Sequence, residues 1–160
     1  MPPMPDKTVV LLPEPYLVAI GKVCVQWSML EAQMDHAIKK LCGFEIDDSR
    51  ALILTTHMAW PLRMDIMESL INAYRSDHPH LAHYDALKPQ LKKAAEGRNR
   101  FVHAHLAYEN GEVIELRAKA RGKLQTTVTP IQVSEIEVVA DDIGRAAINV
   151  YKTIFNRMGG

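Results

Sequence analysis

Cysteine, phenylalanine and tryptophan are scarce in this chain, and a surplus of charge of either sign is missing altogether. Two cysteines in 160 residues, Cys24 and Cys42, are too few and too far apart for a metal motif or a disulfide framework. Their scarcity makes a reducing cytoplasm the simplest compartment, and both read as core or cap residues. Nineteen basic side chains stand against nineteen acidic ones, which excludes a general binder held to nucleic acid by bulk charge. Any contact with nucleic acid has to be local. Long hydrophobic runs are absent too: the apolar stretch in MPPMPDKTVVLLPEP is short, broken by prolines and flanked by acids, unlike a secretory signal or a membrane span. Residues 1 to 14 read as a partly ordered arm, and residues 15 to 158 as a single domain of a size that buries a core.

What is present is helical periodicity. From Pro15 to Leu41 apolar residues step by three and four through Leu17, Ile20, Cys24, Trp27, Met34, Ile38 and Leu41, and Gly43 supplies a left-handed stop. Asp47, Asp48 or Ser49 caps a short helix, and Trp60-Pro61 opens the next, whose face is Leu62, Ile66, Met67, Leu70, Ile71 and Tyr74. A polar turn leads to a fourth seam, Tyr84, Leu87, Leu91, Ala94, Arg98 and Phe101, with Pro89 marking a kink or second start. After His105 the period becomes two, and Asn110-Gly111 between alternating residues is a strong hairpin signal. A hairpin or small meander is expected over about 106 to 130, with a second turn at Arg121-Gly122. SEIE, Ser134 to Glu137, then reads as a capping box opening a last helix with the face Ile136, Val139, Ile143, Ala147, Val150 and Ile154. The fold expected is mainly α: an antiparallel up-down bundle of four to five helices with a β-hairpin inserted before the last.

Two seams are each interrupted by one charge. Glu31 falls where the first helix calls for an apolar residue, and Arg98 does so in the fourth. A charge on a core face is costly unless it is paired, so Glu31 and Arg98 are expected to meet across the bundle.

The second of these charges lies in GRNRFVHAH, residues 97 to 105, where two arginines, an asparagine and two histidines crowd a helix end. Arg98-Asn99-Arg100-Phe101-Val102-His103 resembles the signature of the HEPN superfamily, an arginine followed by a polar residue and separated from a histidine by four to six residues late in a helix. The early helix with Trp27-Ser28-Met29-Leu30-Glu31 and the bundle pattern extend the resemblance over most of the chain. It implies a metal-independent endoribonuclease that uses no cofactor, acts on RNA and forms a homodimer around a shared cleft. An antitoxin or another protein partner, in a toxin or defence setting, goes with it.

The residue chemistry fits that implication. An imidazole such as His103 titrates near neutrality and can take or give the proton of a ribose hydroxyl. Arg98 offers forked donors to a phosphate gaining charge, and Asn99 can orient the imidazole or donate to phosphate. On an ideal helix Arg98 and His103 project roughly 140° apart, so they converge only if the arginine curls, the helix frays, or a second subunit supplies one of them. A structural reading stands beside this one: Arg98 and Glu31 form a register-fixing ion pair, while His103 and His105 favour the negative end of a helix. The alternative function is an inactive module of the same fold that binds nucleotide, RNA or a protein partner.

Two further groups carry weaker signals. Arg117, Lys119, Arg121 and Lys123 recur at alternate positions and, with Arg100, form a candidate phosphate-contacting stripe or simply a charged edge strand. His78, His80 and His83 cluster around Pro79 with Asp77, but their spacing matches no zinc motif, and no metal is expected.

Overall fold

A computed structural model describes residues 12 to 155 except Ile46, Arg121 and Lys123; the side chains of Lys119 and Ala120 also fall outside the description. The arm expected over 1 to 14 therefore lies largely outside the described residues. Five helices and one sheet follow in order: α1 (Glu14–Leu41), α2 (Ser49–Thr55), α3 (Trp60–Tyr74), α4 (Tyr84–Val102), β1 (His105–Glu109), β2 (Glu112–Ala120), β3 (Leu124–Pro130) and α5 (Val133–Ile154). This is the mainly helical bundle with a β insertion that the periodicities anticipate.

The elements begin and end for local reasons. Pro15 lies in the first turn of α1, where its missing N–H costs nothing, and Gly43 takes φ +74° just past its end. Asp48 caps α2 by accepting from the Arg50 N–H at 2.9 Å. A 3-10 turn, Pro79–His83, leads into α4, which runs on through Pro89. The cap of α5 falls earlier than SEIE suggests: Gln132 is the N-cap, and its N–H donates to the Glu135 carboxylate at 3.0 Å. Asn110 and Gly111 both have positive φ, 51° and 85°, the pairing a two-residue hairpin turn requires.

Within the bundle, α3, α4 and α5 alternate in direction. Glu68 meets Lys88 and Arg75 meets Asp85 across α3 and α4, while Arg100 meets Glu135 and Lys93 meets Asp142 across α4 and α5. By contrast α1 and α5 advance together, with Lys22 near Glu137 and Gln26 against Gly144. The sheet, in the order β1-β2-β3, is an antiparallel meander that pairs His105 with Leu116 and Leu116 with Val128. Every residue of β3 is exposed.

The core places several residues differently from the seams read above. In α1 the buried stripe passes through Ala19, Val23, Trp27, Leu30, Met34, Ala37, Ile38 and Leu41, which leaves Leu17 exposed. Cys24 and Cys42 are exposed free thiols outside the core; Cys42 is the C-cap of α1, one of the two expected roles, and Cys24 has neither. The buried stripe of α3 is Arg63, Met67 and Ile71, while Leu62 and Tyr74 face outward. In α4 the seam is as expected, with Tyr84, Leu87, Leu91, Ala94 and Phe101 buried and Arg98 half-buried among them.

Candidate active site

Arg98 and His103 come together because α4 stops. His103 is the residue after the last helical turn, with φ −109° and ψ 6°, held by its N–H to the Asn99 carbonyl at 3.4 Å. Leaving helical geometry there swings the imidazole back toward Arg98, and the angular gap of an ideal helix closes within one chain. Arg98 Nη1 lies 2.8 Å from His103 Nε2. A guanidinium only donates, so Nε2 is the acceptor, which assigns the ring proton to Nδ1. The same Nη1 donates to Asn99 Oδ1 at 3.0 Å. Asn99 thus orients the arginine; its side chain is not bonded to the imidazole.

Beneath the guanidinium lies an aromatic pair. Arg98 Cζ sits 5.5 Å from the Trp27 ring centroid, and Trp27 packs on Trp60 with centroids 4.5 Å apart and planes tilted by 51°. Trp27 is buried and Trp60 half-buried, while Asn99 and His103 are exposed. Nη1 is engaged twice, but Nε and Nη2 of Arg98 have no partner among the described residues. That pair of atoms is the edge that grips a carboxylate or phosphate with two parallel bonds.

Glu31 does not pair with Arg98. It accepts from Arg63 Nη1 at 3.0 Å, and Asp35, one turn further along α1, accepts from Arg63 Nε at 2.8 Å and Nη2 at 3.3 Å. The buried guanidinium of Arg63 claims both acids, so among the described residues Arg98 has no carboxylate partner. Sequence reasoning missed Arg63 although it falls within the apolar arc of α3; its place four residues before Met67 was the available signal.

The remaining candidates go elsewhere. His105 opens β1 and is exposed, not part of the helix end. Arg100 lies on the side of α4 facing the sheet and α5, donating to Glu115 at 3.2 Å and Glu135 at 3.5 Å. Arg117 donates to both oxygens of Glu115, at 2.8 and 3.0 Å. Arg100 and Arg117 thus enter a clamp around a buried carboxylate, and Lys119 pairs through its backbone with Gln125 in β2–β3. The positions Arg121 and Lys123, and the side chain of Lys119, lie outside the description. Glu115 was also missed; its hint is that it shares a strand face with Val113 and Arg117. Burial alone would raise its carboxyl, but the hydrogen bonds and charges of Arg117 and Arg100 prevail and hold it below the ordinary glutamate value. His78 and His80 meet edge to face at 5.9 Å, and among the described residues no three ligating side chains gather as a metal site.

No family model, curated protein or solved structure matches the chain. Among the described residues no helix is long and apolar enough to cross a membrane.

Proposed function

We propose that the chain is a HEPN-like endoribonuclease that cleaves RNA by attack of the 2′-hydroxyl, with Arg98 and His103 as catalytic residues and Asn99 as a positioning residue. One observation carries the reading: the 2.8 Å contact between Arg98 Nη1 and His103 Nε2 on an open surface, with the Nε–Nη2 edge unspent. A base and a fixed cation side by side are what phosphodiester transfer needs, without a metal to provide either.

In this proposal a phosphate oxygen binds the free edge of Arg98 and draws the guanidinium away from the ring. The Nε2 lone pair is released toward the ribose 2′-hydroxyl. The 2′-oxygen forms a bond to phosphorus as its proton passes to Nε2, and the bond from phosphorus to the 5′-oxygen breaks. Water protonates the leaving oxygen, and the imidazolium later returns its proton to solvent. The products are a 2′,3′-cyclic phosphate and a 5′-hydroxyl. A homodimer that narrows this open surface into a shared cleft, and an antitoxin or other protein that covers it, belong to the same proposal.

A second reading has an observation of its own. Because Nε2 is occupied by Arg98, His103 can serve simply to prop the arginine, making the site a non-catalytic RNA-phosphate grip. Cleavage of single-stranded RNA by wild type, His103→Ala and Arg98→Ala in the presence of a chelator separates the two. Loss of about 10²–10⁴-fold in rate in the histidine variant, with binding largely retained, is expected of the enzyme. RNA bound but uncleaved by wild type, with affinity lost in Arg98→Ala, establishes the grip. Equal cleavage by all three overturns the site.

A further inference from the structure

Four polar or charged residues are buried among the described residues, and three of them are satisfied. Thr55 Oγ1 donates to the Ala51 carbonyl, Arg63 holds Glu31 and Asp35, and Glu115 is held by two arginines. The fourth is Lys39, 4% exposed, with no hydrogen-bond or ion-pair partner among the described residues. Its stem is buried while its nitrogen keeps a solvent-accessible edge, so the ammonium is open to a ligand.

Its surroundings are equally unusual. Lys39 lines a cavity of about 360 Å³ between the end of α1, α2 and the start of α3. Apart from Lys39 and Thr55, its walls are apolar or thiol-bearing: Ile38, Leu54, Met58, Leu62 and Ile66 form most of them. Leu54 and Leu62, 63% and 51% exposed, lie at its open side. A single unpaired ammonium set into an apolar cavity selects a ligand that is apolar along its length and carries one negative charge. The volume is at the small end of ligand pockets, about 300–1,000 Å³, and so suits an alkyl chain and not a partner helix. One lysine without an arginine fork fits a carboxylate monoanion better than a phosphate.

We infer that this cavity binds an aliphatic carboxylate, its chain among Ile38, Leu54, Met58, Leu62 and Ile66 and its carboxylate on the Lys39 ammonium. The site is separate from the Arg98–His103 pair, and the inference stands whether or not the chain cleaves RNA.

Calorimetric titration of the full chain with decanoate, decanol and decyltrimethylammonium, all below their aggregation concentrations, tests it. Decanoate should bind with one-to-one stoichiometry and about tenfold or more tighter than decanol, with the cation weakest, as a charge-assisted bond to one ammonium implies. Lys39→Met keeps the stem and removes the charge; it should erase the preference for decanoate while melting close to wild type. Leu54→Arg at the open side should weaken decanoate and decanol alike. Equal affinity for decanoate and decanol, an unchanged preference in Lys39→Met, or no binding of decanoate each overturns the inference. So does a concentration-dependent dimer, seen by sedimentation, that Leu54→Arg dissolves while decanoate fails to bind; the face would then belong to a second copy of the chain.

Discussion

A guanidinium enclosed by two carboxylates has little left to offer a ligand, whereas one that rests on an indole and a neutral imidazole keeps its charge. Arg63 and Arg98 divide in this way, and the division assigns Glu31 and Asp35 to the structure and leaves Arg98 for an anion. Replacing Arg63 by methionine should therefore do two things. It strands two acids, costing about 2 kcal/mol in chemical denaturation, less than the ~3–5 kcal/mol of a fully buried pair because Glu31 and Asp35 remain partly in water. It also frees two negative charges on α1, with Glu31 one turn from Trp27, so under the proposed function RNA affinity should drop; unchanged affinity would separate the two arginines. Arg98 was legible in the sequence because the residues around it in the seam are bulky, apolar and evenly stepped. Arg63 was not, since Leu62, Ile66, Leu70 and Tyr74 spread apolar character over a wide arc of α3 and periodicity alone does not choose which part of a wide arc is buried.

At the scale of elements, the distance between α4 and α5 sets where the end of α4 lies. Gly97, beside Arg98, approaches α5 so closely that a Cβ there would stand 2.7 Å from Val139 Cγ1. Alanine at this position gains up to about 1 kcal/mol in helix propensity but overpacks a stiff β-branched neighbour, at about 1–3 kcal/mol. Gly97→Ala is expected to be destabilising by about 1 kcal/mol, and Val139→Ala in the same chain to reverse most of that loss. Additive effects in the double mutant would mean the helices separate freely. The helices themselves were plain from the sequence, as were the meander and its Asn110-Gly111 turn. What the sequence did not reveal was rotation within a helix: α1 buries Ala19, Val23 and Ala37 and exposes Leu17 and Cys24.

At the scale of the whole molecule, one buried carboxylate ties distant elements together. The Glu115 clamp joins β2, α4 and α5, and it fastens the meander to the bundle together with the Ile131 N–H to the Val113 carbonyl at 2.9 Å. The Glu115 carboxyl lies below its ordinary value in the folded chain. The unfolded chain therefore binds the proton more readily, so the clamp contributes fully above the ordinary glutamate range, near 4.3, and its contribution is lost as pH falls through the lower folded value. Urea midpoints measured against pH should decline below about 4 in wild type, and Glu115→Gln should lower the neutral plateau while flattening that acid limb. A variant with the wild-type acid slope would remove Glu115 from the account. No sequence pattern announces such a clamp, because Glu115 and Glu135 lie 15 and 35 residues beyond Arg100 along the chain and meet it only in the finished fold.

The ending of α4 has a kinetic side as well. Arg98, Asn99 and His103 lie within six residues and meet through one helix terminus, so their contacts close a very short loop and need little of the remaining chain to have found its place. The clamp around Glu115 waits for β2 and α5. During folding the Arg98–His103 pair can thus be assembled before the meander docks, while Phe101 and Arg100 in the same turn wait for the core and the clamp.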